Sequence, residues 1–368
     1  MNILVTGANG FIGKNLVLRL REQADNKVLP FVRGQDDKAL CELLPQVDAV
    51  VHLAGENRPA DVEAFTEVNV GLTERLCRIL KNLTKTIPVL FASSAQADQG
   101  NPYGLSKLAA ERALEGLAAE HGNPIAIYRL PGVFGKWCKP NYNSVVATFC
   151  HNKAQDLPVH INDPEARIRL VYIDDVVNAL LRQLSSYWSG VARPIVTPEY
   201  SLTLGELSAQ IDAFKNCRSS LVSERVGTGL IRALYATYVS YLPPPKFAYN
   251  VPVHGDARGL FVEMLKTPEA GQFSYFTAHP GVTRGGHYHH TKTEKFLVIK
   301  GRARFGFRNM LTNDVHYIET NGEQPQIVDT VPGWTHDITN IGSEELVVML
   351  WANEIFDRGN PDTIACKI

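Results

Sequence analysis

As far as about residue 242 the chain alternates short apolar runs with longer amphipathic stretches. Residues 3–5, 28–32, 49–53, 89–92 and 125–128 read as buried strands, and residues 14–23, 64–83 and 105–121 between them carry helical spacing. Strands without polar alternation, each followed by a helix, need cover on both faces. The pattern therefore predicts an α/β, doubly wound parallel sheet. At Leu242-Pro243-Pro244-Pro245 neither a helix nor a central strand can continue, which marks residues 243–250 as a linker. Beyond it the apolar runs 273–276, 295–299, 303–307, 326–328 and 346–351 are short and separated by turn residues, with no long helix. That texture predicts an all-β sandwich or barrel. The expected organisation is a nucleotide-handling domain over 1–242 and a β domain over 251–368.

Composition agrees with this division and narrows the partners. A chain of 368 residues suits two cores, and 45% hydrophobic with 20% charged residues is the balance of a globular protein. A net charge of -1 gives no reason to expect nucleic acid or an anionic membrane as partner. No apolar run approaches the ~20 residues of a membrane span. The six cysteines, Cys41, Cys77, Cys138, Cys150, Cys217 and Cys366, form no Cys-x-x-Cys pair and read as reduced thiols. The first strand opens the chain and the first motif requires it, so no cleaved leader is expected. Together these features predict a cytoplasmic protein.

Gly7-x-x-Gly10-x-x-Gly13 falls where the first strand turns into the first helix. A turn without Cβ atoms lets backbone approach a pyrophosphate, and the helix N-terminus supplies N–H donors and a positive dipole end. A glycine triplet alone is weak, since loops use glycine for ordinary turns; in this position it reads as a dinucleotide site. Gly7, Asn9, Gly10, Phe11, Ile12 and Gly13 are its candidate cofactor-binding residues. About twenty residues on, where an acidic side chain would select NAD, stands Arg33. A guanidinium there can pair with a 2′-phosphate, so NADPH is the expected cofactor; the bland alternative is a solvated strand-end arginine.

Tyr103-x-x-x-Lys107 spans one helical turn, which puts both side chains on one face. An ammonium beside a phenol lowers its pKa and makes proton exchange with a carbonyl feasible. Ser94, at the end of a predicted strand, can hydrogen-bond the same carbonyl oxygen. With His52-Leu53-Ala54-Gly55, Arg129-Leu130-Pro131-Gly132-Val133-Phe134-Gly135 and Tyr172-Ile173-Asp174-Asp175-Val176, these residues resemble the extended short-chain dehydrogenase/reductase family. The resemblance implies a Rossmann-type fold, catalytic roles for Ser94, Tyr103 and Lys107, and cofactor contacts from Leu53, Ala54, Tyr103, Lys107 and Arg129. One departure is that only eight residues separate Ser94 from Tyr103, a shorter loop than most members carry. The following segment Lys136-Trp137-Cys138-Lys139-Pro140-Asn141-Tyr142-Asn143-Ser144 is polar, aromatic and basic. It reads either as a substrate loop, with Asn143, Arg167 and Arg169 as candidate contacts to a sugar nucleotide, or as ordinary solvated surface.

In the β domain, His287 and His289 alternate along a predicted strand, Glu294 follows a turn, and His336 comes from a later strand. Three imidazoles and a carboxylate suit a borderline divalent metal; zinc is the first choice, with manganese, iron and nickel open. His290 should point away from the metal, either exposed or at the pocket mouth. The spacings Gly281-x5-His287-x-His289-x4-Glu294-x6-Gly301 and Gly333-x-x-His336-x-x-x-Asn340 resemble the two motifs of the cupin family, a jelly-roll fold. Asp256-x-Arg258-Gly259-x-Phe261-x-Glu263, the stretch Gly281 to Tyr288, and Lys295 resemble the deoxythymidine-diphosphate-4-keto-6-deoxysugar 3,5-epimerases. That likeness implies substrate contacts from Arg258, Phe261, Glu263 and Arg284, and places Lys295 beside the sugar as a catalytic residue. It also makes His287 a proton-abstracting base, which conflicts with its metal-ligand position, so the identity of the base stays open.

Over essentially its whole length the chain resembles the CapF-type family of capsular-polysaccharide enzymes, most specifically in Asn101-Pro102-Tyr103-Gly104 and the segment 135–144. The resemblance implies a UDP-2-acetamido-2,6-dideoxy-4-keto-hexose substrate, C3 epimerisation in the cupin, C4 reduction in the Rossmann domain, and a homodimer. The pairing also follows from chemistry. A C4 ketone makes the C3 hydrogen acidic because the carbanion delocalises as an enolate, and reduction abolishes that acidity, so epimerisation precedes reduction. Two other readings compete. One is a reductase whose cupin is a structural, dimerisation or ligand-binding module. The other is an NADPH-binding redox regulator, against which the intact Ser94, Tyr103 and Lys107 argue.

Overall fold

The computed structural model describes every residue except 59, 60, 62, 257, 258, 263, 266, 268–270 and 355–358. Its chain forms two compact units, one of Met1–Ser144 with Ile168–Ser201 and one of Val145–Arg167 with Leu202–Ile368.

In the first unit, strands β1 (Asn2–Thr6), β2 (Lys27–Phe31), β3 (Ala49–His52), β4 (Val89–Ser94) and β5 (Ile125–Leu130), with the short strand Val191–Ala192, form a six-stranded sheet. The spatial order is β2-β1-β3-β4-β5 and then Val191–Ala192, and every pairing is parallel. Each residue of β3 and β4 is buried, as expected of central strands covered on both faces. Pro30 sits in β2 at the sheet edge, where its missing N–H breaks no ladder. The helix expected over 14–23 begins earlier, as α1 (Phe11–Arg21) directly after the glycine turn. The one expected over 64–83 opens as a π-helical stretch, Phe65–Gly71, before Leu72–Lys81 continues as α-helix. Helix Pro102–His121 has Asn101 as cap, its side chain accepting from Gly104 N, and Pro102 in the first turn; it closes at Gly122 with φ +79°.

In the second unit two five-stranded antiparallel sheets face each other. The first runs Ala248–Asn250, Gln326–Asp329, Glu294–Lys300, Leu346–Ala352, Gln272–Ala278. The second runs Val315–Asn321, Arg302–Asn309, Trp334–Asn340, Thr283–Tyr288, Ile364–Ala365. Phe296 of the first meets Phe305 of the second at 5.7 Å, so inward aromatic side chains make the core between them. Helices Val145–Ala154, Leu204–Ser220 and Gly229–Ser240 belong to this same unit, a division that differs from the one read at the triple proline. Packing decides it: Arg218 of helix Leu204–Ser220 pairs with Asp329 of the first sheet, and Asn353 donates to the Val226 carbonyl at 3.2 Å. All six cysteines are free thiols. Among the described residues no helix is long and apolar enough to cross a membrane.

Candidate functional site

The glycine turn after β1 is as tight as its spacing requires. A Cβ at Gly7 would lie 2.7 Å from Ala54 N, and one at Gly13 would lie 2.2 Å from Gly7 O, so neither position accepts a side chain. No side chain caps α1 and no acidic residue stands in its first turn, which leaves its leading N–H groups to a ligand anion. Asn9, Phe11 and Ile12 fill this turn and the helix start. Leu53 and Ala54 close it from β3: both backbone N–H groups donate to Thr6 Oγ1 at 3.1 Å. His52 is fully buried, bonded to Thr6 and Thr73, and burial pushes its pKa down to about 3, so it is a neutral structural imidazole. Arg33 lies at the end of β2, exposed, with its guanidinium donating to Glu56 Oε2 at 2.6 Å.

Ser94, at the end of β4, and Tyr103, in the first turn of its helix, share a hydrogen bond. Burial raises the Tyr103 phenol, and the Ser94 contact acts in the opposite direction. Lys107 is buried on the same helix face and donates to the Ala92 carbonyl at 3.0 Å. Burial lowers its pKa to about 8, partly offset by Glu111. The structure thus gathers Ser94, Tyr103 and Lys107, while the expected depression of the phenol by Lys107 is not what this geometry displays. The Arg129 guanidinium is taken up by two carboxylates. It is held by Glu111 at 2.7 Å and by Asp98 at 2.5 Å, because β5 points it across the fully buried Glu111 carboxylate. Arg169 pairs with Glu199 at 2.5 and 3.0 Å, and Arg167 and Asn143 are exposed. The segment 136–144 is anchored at its base by Lys136, which is buried and donates to Asp174 at 2.9 Å.

In the second unit His287, His289, Glu294 and His336 present ligand atoms that all lie within 4.8 Å of one another. His289 Nε2 is 3.1 Å and His336 Nε2 is 3.5 Å from Glu294 Oε2. A β-bulge at Gly285–Gly286, both with positive φ, turns the end of strand Thr283–Tyr288 so that His287 faces the later strand's His336 at 4.8 Å between rings. His289 Nδ1 donates to the Asp362 carbonyl at 2.5 Å, which fixes the tautomer and leaves the Nε2 lone pair aimed at the cluster. Among the described residues neither nitrogen of the buried His336 makes a hydrogen bond of good geometry, Glu294 at 3.5 Å being its nearest charged neighbour. Burial and the neighbouring histidines hold His287 down to about 3, and burial lowers His336 too. Three mutually close imidazoles, with His287 and His336 held toward the neutral form by burial, beside a carboxylate fit a divalent cation.

A cavity of about 180 Å³ opens on this cluster, lined by His287, Glu294 and His336 together with Arg284, Phe276 and Phe296. Arg284 stands over the Phe276 ring at 5.0 Å and donates to Thr277 O. Lys295 is not among the lining residues. Strand alternation sends Glu294 and Phe296 into the cavity and Lys295 to the opposite face, where it is 2% exposed. There it donates to Asp329 at 2.6 Å and to the Tyr249 hydroxyl at 3.1 Å. The catalytic place expected for Lys295 beside the sugar is therefore corrected. His290 is buried against Tyr288, ring centroids 5.5 Å apart, rather than exposed or at the pocket mouth. Arg258 and Glu263 lie outside the described residues; Phe261 is on strand Gly259–Val262, and its side chain is outside the described set.

Three residues in contact with the expected site residues escaped the sequence reading. Glu56 follows the His52-to-Gly55 motif directly and holds Arg33. Lys292 Nζ lies 3.3 Å from Glu294 Oε1. Asp362 binds the backbone N–H groups of His290, Thr291 and Lys292, bracing the turn between the ligands.

The family described as NAD dependent epimerase/dehydratase matches residues 3–196, and the polysaccharide biosynthesis C-terminal domain matches residues 254–364. A UDP-2-acetamido-2,6-beta-L-arabino-hexul-4-ose reductase of Pseudomonas aeruginosa is 56% identical over 368 residues, covering 100% of this chain and 99% of the relative. The capsular polysaccharide assembling protein CapF of Staphylococcus aureus superposes with a TM-score of 0.68 at 40% identity, covering 100% of both chains. A UDP-glucuronic acid 4-epimerase of Bacillus cereus, solved with NAD, covers 58% of this chain and 83% of its own at 20% identity and TM-score 0.53, a likeness of fold.

Proposed function

The chain belongs to the NAD dependent epimerase/dehydratase family, in its CapF-type form with a C-terminal polysaccharide-biosynthesis domain, and from that premise we propose a two-step enzyme acting on a UDP-activated 4-keto amino sugar. The first unit reduces the C4 ketone with NADPH; the cupin unit epimerises C3 of a UDP-2-acetamido-2,6-dideoxy-4-keto-hexose beforehand, on a cytoplasmic route to an L-fucosamine-type nucleotide sugar. The observation that carries this reading is one chain holding two sets of converged groups: Ser94, Tyr103 and Lys107 beside the glycine turn, and a four-ligand cluster opening on a cavity.

For reduction, Ser94 holds the C4 oxygen in a hydrogen bond and Tyr103 gives it a proton, while Lys107 supplies positive charge on the same helix face. A nicotinamide bound beside these residues would supply the hydride. Arg33 would hold the 2′-phosphate and the N-terminus of α1 the pyrophosphate. For epimerisation, Arg284 at the cavity wall offers a charge to the diphosphate, and the apolar lining of Phe276 and Phe296 excludes water from the sugar. A divalent ion held by His287, His289, Glu294 and His336 would supply Lewis acidity or fix the cavity's shape.

Proton NMR of the full chain with the 4-keto sugar in D2O tests the division of labour. Deuterium should enter C3 without NADPH, and the carbinol should form only with it. Reduction without any C3 exchange would favour a second reading, a reductase whose cupin binds ligand or shapes a homodimer. The placement of Lys295 away from the cavity supports that second reading.

Cofactor choice gives a further expectation. Arg33→Asp should raise the KM for NADPH roughly ten- to hundredfold, a charge-assisted contact of ~1.5–3 kcal/mol, and change that for NADH far less. Equal use of the two cofactors by the unaltered protein would exclude the role given to Arg33. For the cluster, elemental analysis of protein purified without added metal should find about one divalent ion per chain, zinc first. His336→Ala should lose it and lower the melting temperature, since metal binding is linked to folding. A native preparation free of metal and equally stable would contradict the assignment.

A further inference from the structure

Nothing in the glycine turn or the Tyr103 helix calls for a carboxylate at Glu56, yet this residue is fixed from four directions. Oε2 accepts from Arg33 at 2.6 Å and Oε1 accepts from the Tyr142 hydroxyl at 2.7 Å. Its backbone N–H donates to Asn69 Oδ1 at 2.7 Å, and its carbonyl accepts from Asn69 Nδ2 at 3.1 Å. Asn69 also donates to Ser106 Oγ, next to Lys107, which ties Glu56 to the Tyr103 helix. The Glu56 side chain is 14% exposed and that of Arg33 86%, so the carboxylate is the anchored partner and the guanidinium the free arm. On the other side, Lys139 stands over the Tyr142 ring at 5.2 Å, which orients the phenol within the 136–144 loop. Burial opposes charge on Glu56, but the Tyr142 and Arg33 hydrogen bonds outweigh it and keep the carboxyl below its ordinary range.

We infer that Glu56 is a positioning residue through which the 2′-phosphate of the cofactor controls the 136–144 loop; the inference rests on the NADPH reading above. A phosphate at the end of β2 draws the Arg33 fork away from Oε2. Glu56, no longer held at Oε2, turns from the position that the guanidinium fixed, and the bond to Tyr142 slackens. The loop opens to the sugar nucleotide only once the correct cofactor is in place. One carboxylate thus links cofactor choice to substrate entry, and the contact with Arg33 also competes with the phosphate.

The probes are adenosine 2′,5′-bisphosphate and 5′-AMP, which differ in the 2′-phosphate alone, added to the full chain. Amide hydrogen exchange in peptides covering 136–144 is the readout. Saturating bisphosphate should speed exchange there about fivefold, the equivalent of one ordinary hydrogen bond, and 5′-AMP should not. Tyr142→Phe should exchange at the faster rate without ligand and respond to neither probe. Glu56→Gln should bind the bisphosphate about two- to fivefold tighter, having lost the competing charge, and should lose the difference between the probes. Arg33→Ala should reproduce the fast exchange with nothing bound. Bisphosphate that binds without altering loop exchange overturns the inference. If it fails to bind, the NADPH reading falls instead, and the Arg33→Ala variant alone decides: unchanged exchange in that protein also removes the link through Glu56.

Discussion

Tyr103→Phe should lower ketone-dependent NADPH oxidation by roughly 100- to 10,000-fold, the range lost with a general acid. The phenol is buried, hydrogen-bonded to Ser94 and one turn from Lys107, which is the arrangement the proposed proton donor needs. Removing its hydroxyl takes away one atom and leaves the ring against Phe65, whose centroid is 5.7 Å distant. The fold and the cofactor site should therefore survive, and NADPH binding followed by fluorescence should be nearly unchanged. On the proposed division of labour, deuterium entry at C3 of the 4-keto sugar should persist, because that reading assigns it to the other unit. Substantial NADPH turnover by this variant would assign the proton to another group. Loss of cofactor binding along with turnover would mean that the hydroxyl holds the cofactor and that the lost turnover does not report proton transfer.

The parts of the site that the sequence disclosed are those built by one local element. A strand–turn–helix carries Gly7, Gly10 and Gly13, and a single helical turn carries Tyr103 and Lys107. The convergence of His287, His289, Glu294 and His336 was legible from alternation and turn spacing even though a bulge at Gly285–Gly286 intervenes, since the bulge carries its own glycines. What escaped depends on contacts far apart in the chain. Glu56 meets Arg33 across 23 positions and Tyr142 across 86, through loops with no period to read. Lys295 shows the opposite failure. Period-two alternation from Glu294 sets it on the far face, but a family likeness drew it to the sugar. Strand Glu294–Lys300 is buried through Val298 on both faces, which hides alternation in its apolar pattern. The helices that cover that far face lie before the triple proline, so a boundary drawn from local composition separated them from the strands they pack on.

That covered face carries the largest stability effect expected of the second unit. Asp329 accepts from Lys295 at 2.6 Å and pairs with Arg218, and all three are largely buried, two cations around one anion. Asp329→Asn leaves Lys295 and Arg218 without their counter-charge and should cost about 3–5 kcal/mol, with a melting temperature lower by roughly 10 °C. Replacing Lys295 by Met in the same protein should restore part of the loss, because it removes a buried cation that no longer has a partner. The pH dependence has a definite sign. Burial would raise the Asp329 carboxyl, but Lys295 and Arg218 hold it below its ordinary value. A depressed native pKa gives stability that is present above the unfolded value of ~3.9 and lost as pH falls through the native one. Unaltered protein should therefore lose stability in acid more steeply than Asp329→Asn. Lys295→Met alone also decides its chemical role. If Lys295 acted on the sugar, C3 exchange would vanish in a protein that still melts cooperatively. The geometry predicts instead that exchange persists per folded molecule, since the ammonium lies behind the strand and outside the cavity.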